Sequence, residues 1–222
     1  MSGFSTALIV EDDVDWDVRI ATQMQRLSGS ARELFEVSDS DPAPYGTDWD
    51  VIWIGHCGEK AEDSAHLDYR DDSRVTTDGF HGFSKKLWMD EIPESHRRLQ
   101  AAVQPICTFA YAVTAAGAQK ILQTLGSGED EAFDVGLQHR CTNEFLRCYT
   151  VVPQIMQHYE PKQGLGYVSN INKESGYGKS ASDEVLGKAM GLTSNVVQSA
   201  RCKALFDAQC LSPGTDRDYW GY

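Results

Sequence analysis

The chain contains 222 residues, of which 41% are hydrophobic and 24% are charged, and this balance is typical of a folded globular protein rather than of a disordered one. Asp and Glu number 33 against 20 for Lys and Arg, so the net charge is −13, which argues against broad binding to a nucleic-acid backbone or to an anionic membrane. No apolar stretch reaches the length of about 18 residues that a membrane-spanning helix requires.

Short apolar runs alternate with helical patterns, and this alternation predicts an α/β fold. Strands are predicted at 6–10, 51–54, 108–113 and 149–152, and helices at about 15–35, 115–125, 133–146 and 192–210. Because every residue of the run 6–10 is apolar or β-branched, we interpret it as a buried parallel strand. The segment 56–105 is predicted to be irregular. Thr114 is expected to cap the helix that follows it.

The acidic run of Glu11, Asp12 and Asp13 directly follows the first predicted strand. Ligands of open α/β sheets bind beyond the carboxyl ends of strands. Three adjacent carboxylates repel one another unless a cation neutralises them, and Mg²⁺ and Mn²⁺ prefer carboxylate oxygens. Because alternate residues of an extended chain point to the same side, Glu11 and Asp13 could hold one ion. A solvated acidic turn before the next helix is the alternative.

The first strand and its acidic run also resemble the start of a response-regulator receiver domain, in which paired acids bind magnesium. A second strand, 50–54, lies at about the expected distance. In such a domain the phosphate-accepting Asp follows that strand directly, whereas this chain has Gly55 and His56 there. Without a carboxylate no acyl phosphate can form, so a receiver-like signalling domain is a distant alternative.

Five ordered segments resemble glycosyltransferase family 25. They are 7–17, 49–58, 107–114, 133–135 with Cys141, and 152–154. The resemblance extends from about residue 5 to about residue 180, and the chain is most similar to the fungal branch of the family. Members of the family include lipooligosaccharide galactosyltransferases and collagen β-galactosyltransferases.

The resemblance implies a GT-A-like, Rossmann-like mixed sheet flanked by helices. It also implies inverting transfer of a hexose from UDP-galactose or another UDP-hexose to a hydroxyl of a glycan or protein, with Mn²⁺. The implied metal ligands are Glu11 and Asp13, with Asp12 as a second contact to the donor. His158, which follows the last predicted strand, is a further candidate ligand, and a structural or exposed His is the alternative. The ion would stabilise the charge that develops on the diphosphate.

An inverting reaction needs a general base that takes the proton of the acceptor hydroxyl. The resemblance points to Asp134 for this role, although Asp130 and Glu131 are close neighbours. An acid that merely suits the start of a helix is the alternative. Lys173 and Lys179 lie in a Gly-rich segment and could contact the diphosphate, while a solvated loop is the alternative.

The strands that hold the uridine in a GT-A sheet precede the acidic motif, which begins here at Glu11. We therefore expect residues 1–182 to form the C-terminal portion of a GT-A domain that lacks its N-terminal strands, and 183–222 to form a C-terminal helix and a loose tail. The family suggests the Golgi or secretory pathway, whereas the sequence as written begins with neither a signal nor an anchor. An open sheet edge, a tendency to associate and little transferase activity are expected. An inactive remnant with a binding or structural role is the alternative function.

Six cysteines are present, and an even number is typical of disulfide bonding. Cys57 and Cys107 each lie beside the end of a predicted strand. Because neighbouring strands are about 4.8 Å apart, we expect these two residues to form a disulfide in an oxidising compartment. Cys141 and Cys148 are a further candidate pair.

Overall fold

The computed structural model describes residues 4–128, 131–160, 167–168, 176–177 and 182–211. The strands are β1 (Thr6–Val10), β2 (Val14–Asp15), β3 (Val51–Gly55), β4 (His66–Arg70), β5 (His96–Ala101), β6 (Ala110–Thr114), β7 (Cys148–Val152), β8 (Gln157–Glu160), β9 (Tyr167–Val168), β10 (Gly176–Tyr177) and β11 (Leu192–Thr193). The helices are α1 (Ile20–Leu34), α2 (Ala115–Leu125), α3 (Phe133–Thr142), α4 (Asp183–Lys188) and α5 (Ala200–Phe206), with a 3₁₀ helix at Phe83–Leu87. Within these ranges, no helix combines the length and the apolar character needed to cross a bilayer.

A six-stranded mixed sheet in the order β1-β6-β3-β7-β5-β4 forms the centre of the molecule. β3 and β7 run parallel, whereas the other neighbouring strands run antiparallel. A smaller sheet, β11-β8-β2, lies beyond the acidic run and ties the later part of the chain to it. The predicted α/β class, with a mixed sheet flanked by helices, is confirmed.

Helices cover β3 on both faces of the large sheet. On one face, Leu27 of α1 belongs to the same apolar cluster as Ile52 of β3. On the other face, Leu137 of α3 clusters with Trp53 of β3. All four side chains are almost completely buried. Alternate residues of β3 therefore face two separate cores, as the two-residue period of a strand requires.

β1 is not the buried parallel strand that its composition predicted. It lies at the edge of the sheet and pairs antiparallel with β6. Leu8, Ile9 and Val10 remain 46%, 43% and 44% exposed. The prediction was wrong because a run of apolar and β-branched residues looks the same in an edge strand as in an inner one. Among the described residues, β1 has a neighbouring strand on one side only.

The segment 56–105, predicted to be irregular, contains β4 and β5. Charged side chains interrupt the apolar pattern of these strands, and their partners lie far away in the sequence. Buried Arg97 donates from Nε to Asp71 Oδ2 at 2.7 Å and from Nη1 to the carbonyls of Pro153 and Gln154 at 2.7 and 2.6 Å. These contacts satisfy the buried charge of Arg97, which would otherwise be costly. Because the partners are distant in the sequence, no local pattern predicts these contacts.

The helices are shorter than predicted, with one exception. α1 begins at Ile20 rather than near residue 15, α3 ends at Thr142 rather than at 146, and the segment 192–210 contains β11 and α5 instead of one helix. α2 agrees with the prediction, and the Thr114 side chain accepts a hydrogen bond from the Gly117 N–H at 3.0 Å. The residues before α1 and those before α5 are joined by hydrogen bonds that Asp15 and Asp17 accept, as described below.

Disulfides join Cys57 to Cys107, Cys141 to Cys148 and Cys202 to Cys210. The first two confirm the pairs proposed from the sequence. The Cys57–Cys107 bridge spans 50 residues and ties the end of β3 to the segment before β6. In the chain-entropy account, closing a loop of this length contributes about 4 kcal/mol to stability.

Candidate functional site

The acidic run lies directly beyond β1, beside the segment 107–109 that precedes β6. The Glu11 N–H donates to the carbonyl of Phe109 at 2.9 Å, which continues the ladder between the two strands. The Thr108 hydroxyl donates to Glu11 Oε1 at 3.3 Å. Both contacts hold Glu11, which is partly buried, at this end of the sheet.

Asp13 and His158 meet because β2 pairs with β8. The pairing places Val14 opposite His158, and the Tyr159 N–H donates to the Asp13 carbonyl at 2.7 Å. His158 Nε2 lies 2.9 Å from Asp13 Oδ2. On its face, the His158 ring stacks on Phe109, with 5.6 Å between ring centroids and an angle of 24°. The structure thus brings the predicted late His to the acidic run.

Asp134 lies in the first turn of α3, and its Oδ2 accepts a hydrogen bond from the Cys107 N–H at 3.0 Å. The segment 107–109 therefore contacts three predicted site residues in succession. Its first residue binds Asp134, its second binds Glu11, and the ring of its third packs on His158. The proposed base and the proposed metal ligands thus lie around one short segment.

The two neighbours of Asp134 are weaker candidates for the base. Glu131 is exposed and precedes α3, and its Oε1 lies 3.0 Å from Nδ1 of His139 in that helix. Asp130 lies outside the described residues. Of the two described acids in this stretch, Asp134 is the one that contacts the segment 107–109.

The other residues predicted to contact the donor are Asp12, Lys173 and Lys179, and the structure describes only the first. Asp12 is exposed, and its backbone carbonyl accepts a hydrogen bond from Arg201 Nη1 at 2.9 Å. That contact fixes the backbone of the acidic run to α5. Lys173 and Lys179 lie outside the described residues, so their contact with a diphosphate remains a prediction.

Burial and repulsion raise the pKa of Glu11 above its ordinary value. Burial is the largest cause, the charge of Asp13 is the next, and Asp12 adds a smaller repulsion. The hydrogen bond from Thr108 and the charge of His158 act in the opposite direction but do not compensate. Such a carboxylate is stabilised by a nearby cation, because the cation offsets both the burial and the repulsion.

Asp13 and His158 stabilise each other's charged forms. Burial is the largest influence on each, yet the hydrogen bond and the attraction between them outweigh it, so the pKa of Asp13 is lowered and that of His158 is raised. Glu160 and Glu11 add to the rise at His158. The side chains are 37% and 18% exposed, respectively, so water weakens but does not abolish the attraction.

The donor types at the site fit a hard divalent ion. Glu11 and Asp13 offer carboxylate oxygens, which Mn²⁺ accepts. His158 Nε2 is engaged in its hydrogen bond with Asp13 Oδ2 at 2.9 Å, so a role of His158 as a metal ligand stays a prediction. In the described part of the chain, however, no three Asp, Glu, His or Cys side chains converge as a ready-made metal site. Ions of this class are often held by one or two carboxylates while substrate phosphates complete the shell. Glu11 and Asp13 are two carboxylates of this kind at alternate positions of the acidic run.

Asp15 and Asp17, which follow the acidic run, were not predicted to have a role. Asp15 Oδ2 accepts hydrogen bonds from the hydroxyls of Thr193 and Ser199, and Asp17 Oδ2 accepts one from the Gln198 N–H at 2.9 Å. Both acids are almost completely buried. They fasten the C-terminal segment beside the site, and the unusual density of acids in the run was the signal for them.

Comparison with models of known protein families finds no match to the chain, and comparison with curated protein sequences finds no significant match. The chemistry of the site is therefore inferred from its residues and their arrangement.

Proposed function

We propose that the acidic run binds a divalent cation together with the diphosphate of a UDP-sugar, and that the protein is an inverting hexosyltransferase of the family 25 type with a GT-A-like fold. The observation that carries the proposal is the convergence of Glu11, Asp13, His158 and Asp134 around the segment 107–109.

Each residue has a distinct role in this proposal. Glu11 and Asp13 hold the cation, and His158 orients the Asp13 carboxylate through their hydrogen bond. When bound, Mn²⁺ supplies positive charge to the departing diphosphate. Asp134 takes the proton of the acceptor hydroxyl, and the Cys107 N–H fixes one of its oxygens so that the carboxylate keeps a defined orientation. The partners are a nucleotide-sugar and a glycan or protein hydroxyl.

A second candidate function is binding without transfer, by a remnant of such an enzyme. The observation that favours it is the position of β1 at the edge of the large sheet, where the described residues place no strand on its outer side to contact a nucleotide base. Such a protein would still bind the cation and the diphosphate through Glu11 and Asp13, but it would hold the sugar nucleotide too loosely for turnover.

Titration of Mn²⁺ and UDP by calorimetry tests the binding site. We expect the wild type to bind Mn²⁺ more tightly when UDP is present, and we expect the Glu11→Ala, Asp13→Ala double variant to bind at least about tenfold more weakly, since it loses both carboxylates. The matched control is Glu33→Ala, Asp39→Ala, which removes two exposed acids elsewhere and should bind like the wild type. Equal binding by the wild type and the first double variant would contradict the proposal.

Release of UDP from UDP-galactose in the presence of Mn²⁺ separates the two candidate functions. An enzyme should release UDP, and the Asp134→Asn variant should lose that release while it still binds Mn²⁺ and UDP. Binding of Mn²⁺ and UDP by the wild type without release would favour the remnant instead.

A further inference from the structure

The Cys57–Cys107 disulfide lies directly beside the candidate site. Cys107 is the first residue of the segment 107–109, which contacts the proposed base and two of the predicted metal ligands. Cys57 follows β3 by two residues, and its N–H donates to the Ile106 carbonyl at 2.8 Å. The disulfide therefore joins this segment covalently to the end of a buried central strand.

The backbone of Cys107 adopts a conformation that cysteine rarely takes. Its φ angle is 64°, in the left-handed region, which is unfavourable for a residue with a β-carbon. In this conformation the Cys107 N–H donates to Asp134 Oδ2, and the Cys107 carbonyl accepts a hydrogen bond from Nε1 of buried Trp53 at 3.1 Å. Unfavourable backbone conformations persist only where several contacts impose them. The disulfide adds a covalent contact to these two hydrogen bonds.

The three disulfides differ in how well a reductant can reach them. Cys57 and Cys107 are both partly exposed. Cys141 and Cys148 are both buried, and Cys202 is completely buried. Exposed or strained disulfides are reduced more readily than well-buried ones, and opening this one would also release the left-handed backbone of Cys107. We therefore expect a reductant to open the Cys57–Cys107 disulfide first.

We propose that the Cys57–Cys107 disulfide is a redox switch for the candidate site. A thiolate of a dithiol reductant attacks one sulfur, and the other sulfur leaves as a thiolate. The second thiol of the reductant then attacks the mixed disulfide and releases the first cysteine. Two electrons and two protons pass from the dithiol, which becomes a disulfide, to the two cysteines, which become thiols.

Reduction removes the covalent contact that holds Cys107 in the left-handed region. Its backbone then relaxes, and its N–H turns away from Asp134. The neighbouring Thr108, whose hydroxyl donates to Glu11, moves with it. The candidate site is therefore complete in the oxidised protein and incomplete in the reduced one. The inference rests on the proposed function where it concerns cation binding, but not where it concerns the Asp134 contact.

Graded reduction of the wild type with dithiothreitol tests which disulfide opens first. Free thiols are alkylated at each step and located by peptide mass spectrometry. We expect Cys57 and Cys107 to be alkylated at a lower dithiothreitol concentration than the other four cysteines. Simultaneous opening of all three disulfides, or earlier opening of another one, would overturn the switch.

Hydrogen exchange tests whether the segment is released. In the protein with only this disulfide open, we expect the N–H groups of Cys57 and Cys107 to exchange at least about tenfold faster, because they lose their hydrogen bonds. Helix α2 should exchange as before, which shows that the fold is retained. Unchanged exchange at Cys107 would contradict the inference.

Calorimetric titration of Mn²⁺ in the presence of UDP connects the switch to binding. We expect the Cys57→Ala, Cys107→Ala variant to bind Mn²⁺ about tenfold more weakly than the wild type, as is typical when the outer shell of a metal site is disturbed. The matched control is Cys141→Ala, Cys148→Ala, which removes a disulfide at the end of α3 far from Asp134 and should bind like the wild type. The selectively reduced wild type gives the same comparison if the first variant does not fold.

The outcomes separate this inference from the proposed function. Equal Mn²⁺ binding by the oxidised and the selectively reduced protein would overturn the switch and leave the proposed function standing. Faster exchange at Cys107, without Mn²⁺ binding by the oxidised wild type, would overturn the proposed function and leave the disulfide in control of the Asp134 contact.

Discussion

β3 and β1 are both strands of five residues with almost no polar side chains, yet they have opposite environments. β3 lies between β6 and β7, and all five of its residues are buried. β1 lies at the edge, and all five of its residues are exposed. An apolar run thus indicates a strand, but whether that strand is covered depends on which other strands and helices reach it.

β1 combines the composition of an inner strand with the position of an edge strand. Apolar side chains on both faces are typical of strands that are covered on both faces. Beside β1 lies an apolar cavity of about 220 Å³, lined in part by Leu8, Met24, Tyr45 and Trp49. Unpaired backbone groups next to exposed apolar surface favour association with another chain.

The same substitution in both strands should produce the largest contrast. Ile52 is 1% exposed and Ile9 is 43% exposed. We expect Ile52→Ala to lower the free energy of unfolding by about 2–5 kcal/mol, because it leaves a cavity in the core. Ile9→Ala should cost about 1 kcal/mol or less, because much of that side chain already contacts water.

Urea unfolding of both variants beside the wild type measures the difference. The slope of the transition should stay the same so that the midpoints can be compared. Equal losses for the two variants would mean that β1 is covered in solution, and the contrast between the strands would then be wrong.

Patterns that are local in the sequence were enough for part of the fold. The strand at 51–54 and the helix 115–125 with its Thr114 cap follow from nearby residues. The Cys57–Cys107 bridge, which spans 50 residues, was predicted because each Cys lies beside the end of a strand. β4 and β5 were missed because Arg97 is satisfied by a distant carbonyl group and by Asp71. The position of β1 was missed because the arrangement of all strands decides it.

The candidate site shows the same division. Glu11 and Asp13 stand out locally as acids after an apolar run. The contact of Asp13 with His158, by contrast, joins residues that are 145 positions apart and depends on the pairing of β2 with β8.

A charge on the outer edge of β1 should reduce association. We expect the wild type to associate as its concentration rises. The Ile9→Lys variant should raise the apparent dissociation constant about tenfold, which corresponds to about 1.4 kcal/mol, because a buried Lys would oppose edge-to-edge pairing. Sedimentation velocity over a concentration series provides the measurement.

Leu122→Lys is the matched control for this edge. Leu122 is a highly exposed apolar residue on α2, away from β1, and the substitution adds the same charge. It should leave association unchanged. An equal decrease in both variants would assign the effect to net charge rather than to the edge of β1.

The ends of the two strands should differ in their response to pH. β3 leads into the Cys57–Cys107 disulfide, a covalent link that does not titrate, whereas β1 leads into the run held by Asp13 and His158. The pKa of His158 is raised, so its contribution to stability is complete below its ordinary value of 6.5 and is lost as pH rises through the folded-state pKa. The lowered pKa of Asp13 makes its contribution complete above 3.8 and lost as pH falls through the folded-state pKa.

The pair should therefore stabilise the protein most between about pH 4 and 6.5. We expect His158→Gln to lose about 0.5–1 kcal/mol at pH 5.5, a small value because water screens the partly exposed Asp13. The loss should shrink at pH 9, where the wild-type imidazole is neutral as well.

His66→Gln is the control, because His66 lacks such a partner carboxylate among the described contacts. It should show no comparable change in stability between the two pH values. Glu11 and Glu160 also face His158, so a loss that grows toward pH 9 would mean that the imidazole, rather than the ion pair, is what holds the acidic run in place.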